Sequence, residues 1–243
     1  MGGAGGGGAG TGCLAADLRL PARLLRGLAA YPRRSPLTAA YLAVLGAVYL
    51  LVDRVLAPAT ATRLLRYVST NPENLRHHPV PSLLASALFV AGPLLDPDTL
   101  VIVGVGLGVC MAWVERRQGS LRTAGIFLAG HVVTTLLTVP LIAYGIATAR
   151  YDPALRGGLD FGVSYGAATM AGAVTPLLPG WVRPLWVLAL LGYPLHAAVW
   201  SGGLPDFTTA GHVIAGLVGL ALGFAAARGR PPAQAPPATC GED

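Results

Sequence analysis

Two residue types in the apolar parts of this sequence can do chemistry together: a serine, Ser164, and the histidines His131 and His212. A histidine that lies beside a serine can accept the hydroxyl proton and so turn the oxygen into a nucleophile. The same residues also occur inside proteins without any chemistry, where each simply hydrogen-bonds a neighbouring carbonyl. The elements that position these residues decide between the two interpretations.

The composition excludes an ordinary soluble domain. Hydrophobic residues make up 53% of the 243 residues and charged residues only 12%, whereas soluble domains carry about 25% charged residues. The mean hydropathy is +0.60. A soluble fold of this composition would expose a large apolar surface to water, which a lipid bilayer would instead cover. The sequence therefore predicts an all-α, polytopic membrane helical bundle.

The charged residues and cysteines point to no cofactor and no nucleic acid. All 17 basic residues are arginines, and they are scattered over several loops instead of forming a stripe interleaved with aromatic residues. Cys13, Cys110 and Cys240 have neither metal-ligand nor disulfide spacing. We expect no metal and no cofactor, and the expected partners are the lipid bilayer and transmembrane segments of other proteins.

Six apolar stretches have lengths near the ~20 residues that a membrane-spanning helix needs. They are residues 37–57, 98–114, 123–147, 162–178, 182–200 and 208–227. A further apolar stretch, 80–95, is short and bracketed by prolines, which is typical of a re-entrant or interfacial segment.

The regions outside the spans have distinct compositions. Residues 1–13 are Gly-rich and are expected to be disordered, like the Pro-rich tail at 229–243. Residues 14–36 mix arginines with leucines and indicate a basic amphipathic helix on the membrane surface. The predicted membrane domain is 37–228.

The distribution of arginines predicts the orientation. If the N-terminus is cytoplasmic, eleven arginines lie on the inner side and six on the outer side. Because cytoplasmic segments carry the excess of positive charge, both termini are expected in the cytoplasm, which an even number of spans requires. The plasma membrane is the expected location.

Under this topology, Ser164 and His212 lie at similar depth. Ser164 is about two residues, and His212 about four, from the outer start of its span, so their depths match to within ~3–4 Å. Each stands on a helix with a row of small residues at four-residue spacing, which permits close helix packing. These rows are Ala168 and Gly172 in the fourth span, and Ala215, Gly219 and Gly223 in the sixth. The rows are also explained if they are packing seams alone.

Several motifs, in order along residues 36–228, make the chain resemble the rhomboid family of intramembrane serine proteases. They are Glu115-Arg116 with Gly119-Ser120 between the second and third spans, the first-loop segment Pro81 to Phe89, Gly162-Val-Ser164-Tyr165-Gly166 at the start of span four, and Gly211-His212 in span six. The resemblance implies a Ser164–His212 dyad without a third carboxylate, which cleaves transmembrane segments of substrate proteins as a serine endopeptidase.

The chain departs from the family pattern at two places. Tyr165 replaces the glycine that usually follows the nucleophile. The family's span-two His and Asn, which stabilise the oxyanion, are absent; Thr99 and Val103 fall near those positions. Losing one such donor costs ~10²–10³ in rate. Candidate oxyanion or structural support therefore comes from Gly162, Tyr165 and His131, and other candidate donors are Asn74, His77 and His78.

Three alternatives remain open. A catalytically inactive rhomboid-like protein would bind transmembrane helices without cleaving them, and Tyr165 and the missing donors favour it. An α/β-hydrolase would explain Gly-x-Ser-x-Gly, but the polar, turn-rich residues 150–161 offer no strand before Ser164. A transporter would show an internal repeat and more charge at the midplane, and the sequence shows neither.

Overall fold

The structure is a computed structural model that describes residues 27, 29–90 and 92–228. The Gly-rich segment 1–13, most of the basic segment 14–36 and the tail 229–243 lie outside the described residues. Residues 29–34 are helical and lead into the first long helix.

The described residues form a bundle of helices joined by short turns. The helices are α1 (Pro36–Val55), α2 (Pro58–Val68), α3 (Pro72–His77), α4 (Pro79–Ser86), α5 (Pro97–Gln118), α6 (Ser120–Ala147), α7 (Gly162–Ala173), α8 (Arg183–His196) and α9 (Phe207–Arg228). Single 3₁₀ turns lie at Pro153–Gly157 and Thr175–Leu177. A two-stranded hairpin pairs β1 (Trp200–Ser201) with β2 (Leu204–Pro205).

Four of the described helices, α1, α5, α6 and α9, are long and apolar enough to cross a membrane. They confirm four of the predicted spans, but the count of six is not confirmed. Helix α7 has 12 residues and α8 has 14. The backbone explains both lengths: α7 runs into a 3₁₀ turn that contains Pro176, and α8 ends at His196, two residues after Pro194.

Helix α7 lies at the centre of the bundle, packed against α5, α6 and α9. Its residues Tyr165 and Met170 are completely buried. A central helix that is covered by neighbouring helices on most sides needs small residues to let the other backbones approach.

The segment 80–95 does not form a spanning helix. Its helical part is α4, which has eight residues and ends at Ser86. Three residues beyond α4, at Phe89, the chain leaves the helical turn and continues irregularly towards α5.

Three helix ends, the starts of α1 and α6 and the end of α5, are joined by Glu115, which is buried. Its carboxylate accepts hydrogen bonds from the backbone N–H groups of Leu37 (2.8 Å) and Thr38 (2.9 Å), and from the hydroxyls of Thr38 and Ser120 (both 2.7 Å). The first turn of α1 has no cap of its own, so Glu115 satisfies its free donors from a distance of 77 residues along the chain. This contact orients α1 relative to α5 and α6.

Candidate functional site

Ser164 is the third residue of α7 and lies close to the free N–H groups of its first turn. Its Oγ donates a hydrogen bond of 3.3 Å to the carbonyl of Phe161, one turn earlier. Phe161 has an apolar side chain and gives no side-chain cap to α7. Ser164 therefore stands among uncapped backbone donors, and its hydroxyl is bonded to its own helix in this conformation.

His212 lies in the second turn of α9, which is capped by Asp206. The Asp206 carboxylate accepts hydrogen bonds from the N–H of Thr209 (3.0 Å), the hydroxyl of Thr209 (2.7 Å) and the N–H of Val199 (3.1 Å). Burial alone would raise the pKa of Asp206, but these hydrogen bonds to its charged form hold the pKa below its usual value. The Nε2 atom of His212 is buried and has no hydrogen-bond partner within the described part of the protein.

Ser164 and His212 line the same cavity, which has a volume of about 370 Å³. Helices α5, α7, α8 and α9 all contribute to its walls, which are mostly apolar. Near Ser164 the wall is formed by the small residues Ala167, Ala168 and Ala171. At one side of the cavity the Tyr193 hydroxyl of α8 donates a 2.5 Å hydrogen bond to Asp98 of α5. A serine and a histidine thus line one half-open cavity from two packed helices.

Tyr165 does not enter this cavity. Its side chain is completely buried on another face of α7, towards α9. Its ring stands edge-on to the ring of His212, with 5.6 Å between ring centroids and an interplanar angle of 71°. Gly211 leaves the space that the Tyr165 ring occupies. The bulky residue after Ser164 is therefore accommodated without covering the serine, and its ring packs against the ring of His212.

The small residues of α7 and α9 are divided between two surfaces. A Cβ atom on Gly172 would clash with the backbone of Gly216, and one on Gly219 with the backbone of Thr169. A Cβ atom on Gly223 would lie 2.6 Å from the carbonyl oxygen of Ala173. The buried Ala215 also lies in this seam, where its carbonyl accepts a 3.4 Å hydrogen bond from the Thr169 hydroxyl. Ala168, in contrast, lines the cavity.

His131 is completely buried in α6 and is not part of the cavity lining. Its Nε2 atom lies 2.7 Å from the carbonyl oxygen of Leu83 and 3.4 Å from the hydroxyl of Ser86, both in α4. Its ring fills the space left by the missing side chain of Gly162, the first residue of α7. In the structure His131 therefore joins α4, α6 and the start of α7.

The other candidate donors also lie outside the cavity lining. Asn74 donates to the carbonyls at the end of α2, and the ring of His78 stacks on Tyr67 with 4.5 Å between centroids. His77 is exposed, and Thr99 is buried. The α5 wall consists of Asp98, Val101, Ile102, Val105 and Gly106, which provide no side-chain N–H or O–H donor.

A residue that the sequence did not single out, Asp160, lies two residues before α7. It is buried, and it is joined to the first loop by hydrogen bonds of 2.9 Å from Thr70 N–H to its carbonyl and 3.2 Å from the Thr70 hydroxyl to its carboxylate. Burial raises the pKa of Asp160 to about 6, against the opposing effect of its hydrogen bonds. The only local signal for Asp160 is an acidic residue two positions before an apolar helix.

Comparison with known proteins gives one result. The model of the rhomboid-like protein family matches residues 30–233, which is most of the chain. The chain belongs to the rhomboid-like protein family. No curated protein and no solved structure gives a significant match. This rhomboid-like protein is therefore an integral membrane protein with an all-α, polytopic helical fold, as the sequence predicted.

Proposed function

We propose that this rhomboid-like protein is an intramembrane serine endopeptidase that cleaves transmembrane segments with a Ser164–His212 dyad. The observation that carries the proposal is the shared cavity, a half-open and mostly apolar space that the serine and the histidine line from adjacent helices. An extended stretch of substrate backbone in this cavity would place a carbonyl carbon next to Ser164.

In the proposed reaction, His212 takes the hydroxyl proton as Ser164 attacks the carbonyl carbon, and the C–N bond then breaks as His212 returns the proton to the leaving amine. Water then hydrolyses the acyl-enzyme by the reverse use of the same two groups. Before this, Ser164 must exchange its hydrogen bond with the Phe161 carbonyl for one with His212. The edge-on contact with Tyr165 limits rotation of the imidazole ring.

The oxyanion of this reaction would be stabilised by backbone groups. The α5 wall offers no side-chain donor, but the first-turn N–H groups of α7 have no cap and belong to the turn that carries Ser164. Backbone N–H groups at a helix N-terminus stabilise developing negative charge. With fewer donors than the family pattern provides, we expect slow turnover.

The experiment compares the wild-type protein with Ser164→Ala and His212→Ala in proteoliposomes that contain a reporter transmembrane substrate. We expect cleavage and fluorophosphonate labelling with wild type only. Ser82→Ala is the matched control, because Ser82 is buried in α4 without a hydrogen-bond partner in the described structure and lies outside the cavity lining. Equal substrate bands for wild type and Ser164→Ala would refute the protease proposal.

The alternative proposal is a rhomboid-like protein that binds transmembrane helices without cleaving them. The apolar cavity wall favours it, as does the absence of side-chain N–H and O–H donors among the α5 residues that line the cavity. Cross-linking of a transmembrane client to the cavity, undiminished by Ser164→Ala and abolished by Ala168→Phe, would support this function if labelling and cleavage are both absent.

We further propose that the protein lies in the plasma membrane with both termini in the cytoplasm, and that α7 and α8 serve as short fourth and fifth crossings in addition to the four long helices. The excess of arginines on the side of the N-terminus supports this topology. Labelling of single cysteines placed at Arg117 and Arg156 by an impermeant reagent tests it: only the second should react from outside intact cells.

A further inference from the structure

A second cavity lies far from Ser164 along the fold, at the end of α1. It has a volume of about 640 Å³ and is a half-open space between α1, α2 and the irregular stretch after α4. Its apolar walls include Val48, Val52, Leu65, Phe89 and Val90. Cavities that hold small molecules commonly measure ~300–1,000 Å³ and are mostly apolar.

Helix α2 forms one side of this cavity and is amphipathic. Its partly or fully buried residues Ala61, Leu64, Leu65 and Val68 recur at the spacing of one helix face. Because α2 begins three residues after the end of the spanning helix α1, this face is held at the boundary between lipid and water. The helix is therefore placed as an interfacial helix.

The exposed side of α2 carries uncompensated positive charge next to the cavity, because Arg66 lies one turn after Thr62 of the cavity wall. Arg63 and Arg66 are exposed, and the ion pair found among the described residues joins a different pair, Asp53 and Arg54, at 2.7 Å. Between residues 58 and 78 there are three arginines and a single acidic residue, Glu73. Since Asp53 neutralises Arg54, the net positive charge beside the cavity comes from α2 and the turn that follows it.

The position of α2 is fixed by the next segments. Asn74 donates hydrogen bonds to the carbonyls of Arg66 (2.6 Å), Tyr67 (3.3 Å) and Ser69 (2.8 Å), and His78 Nε2 lies 3.1 Å from the carbonyl oxygen of Tyr67. The last carbonyls of α2 are thereby satisfied, so the helix presents its arginines on a preformed surface.

We propose that this region binds an anionic phospholipid, with an acyl chain in the cavity beside Val52 and Leu65 and the headgroup phosphate against Arg63 and Arg66. Guanidinium groups bind phosphate oxygens through paired hydrogen bonds, and the surface charge of anionic lipids attracts arginines near the membrane. The adjacent spanning helix favours a lipid over a soluble acidic protein, because lipid already surrounds this end of α1. The assignment is independent of the proposed protease activity.

The test uses the full-length protein in nanodiscs of phosphatidylcholine with a minor fraction of phosphatidylglycerol. After extraction into detergent, native mass spectrometry counts the phospholipids that remain bound. We expect wild type to retain phosphatidylglycerol selectively. We expect about tenfold weaker retention for Arg63→Gln with Arg66→Gln, and a loss also for Val52→Phe, which fills the cavity without changing charge.

The matched control is Arg117→Gln with Arg122→Gln, which removes the same charge from exposed positions elsewhere in the chain. It should retain the lipid as wild type does, and all variants should keep the wild-type thermal midpoint. Undiminished retention in either the arginine variant or Val52→Phe overturns the assignment. Equal retention of phosphatidylcholine and phosphatidylglycerol by wild type also overturns the assignment. The assignment is overturned as well if an acidic protein binds to α2 and lipid retention stays unchanged.

Discussion

Tyr165 lies directly against Gly211: a Cβ atom on Gly211 would come within 2.5 Å of the tyrosine ring. The two residues follow Ser164 and precede His212, respectively, so this one contact sets the distance between α7 and α9 at the height of both candidate catalytic residues. The Tyr165 ring also stands edge-on to His212. Tyr165 therefore contributes both to the packing of α7 against α9 and to the surroundings of the candidate catalytic residue His212.

Gly211→Ala is expected to displace the Tyr165 ring, because the ring is completely buried and has no free space to move into. Overpacking of this kind costs about 1–3 kcal/mol. The measurement is thermal unfolding in detergent micelles, followed by tryptophan fluorescence. The control is Gly125→Ala in α6, where nothing lies within 4 Å of the added carbon. Equal midpoints for the two variants would show that Tyr165 is loosely packed.

His131→Leu is expected to destabilise the bundle without removing a group from the cavity. The variant loses the hydrogen bond between His131 Nε2 and the Leu83 carbonyl, which still accepts a 3.3 Å hydrogen bond from the Ser86 hydroxyl. The expected cost is therefore that of one net hydrogen bond, about 0.5–1.5 kcal/mol. Thermal unfolding measures this loss, with the exposed His77→Leu as the control. Fluorophosphonate labelling per folded molecule should match wild type if labelling occurs at all. A selective loss of labelling at unchanged stability would instead place His131 in the chemistry.

The sequence predicted the long helices well and the short ones poorly. Hydropathy depends on side chains alone, so it located α1, α5, α6 and α9 within a few residues. It continued the fourth and fifth spans to 178 and 200 because the side chains stay apolar, although Pro176 and Pro194 interrupt the backbone hydrogen bonds there.

Around the candidate site, too, the sequence predicted some features and missed others. Ser164 and His212 were found because polar residues are rare in apolar helices, and the structure places both at one cavity. Asp160 was missed because its partner Thr70 is 90 residues away, and no local pattern reports such a contact. Ala168 was grouped with Gly172 by spacing, but a helix with neighbours on most sides divides its small residues among several surfaces.

Glu115→Gln is expected to weaken the junction of α1, α5 and α6 by roughly 2 kcal/mol, because hydrogen bonds to a charged acceptor contribute about 1.5–3 kcal/mol. Glutamine keeps one carbonyl oxygen but turns N–H donors towards Leu37, Thr38 or Ser120, which are donors themselves. The thermal midpoint in micelles measures the effect. Glu73→Gln, an exposed site, should change it little. A midpoint that Glu115→Gln leaves unchanged would mean that α1 holds its position without this cap.

Asp160→Asn is expected to stabilise the protein increasingly as the pH rises. The pKa of Asp160 in the folded protein is about 6, raised by burial from 3.8, so the folded state holds the proton more tightly than the unfolded state. The wild-type protein therefore has the full contribution of protonated Asp160 below pH 3.8 and loses it as the pH rises to about 6. At 1.36 kcal/mol per pH unit the loss amounts to about 3 kcal/mol above that pH. Asparagine, which stays neutral, avoids this loss while its side-chain oxygen still accepts from Thr70.

The comparison variant for this prediction is Asp206→Asn, because the contribution of Asp206 to stability depends on pH with the opposite sign. The pKa of Asp206 is lowered in the folded protein, so its stabilising contribution is present above its unfolded pKa and is lost as the pH falls. Between pH 4 and pH 8 the thermal midpoint of Asp160→Asn should therefore rise relative to that of wild type as the pH increases. The midpoint of Asp206→Asn should stay below that of wild type by a constant amount, because the Asp206 contribution is lost only below pH 3.8. If the curves of Asp160→Asn and wild type are parallel over this range, Asp160 is ionised without cost, and the buried link between the first loop and α7 is more hydrated than its contacts indicate.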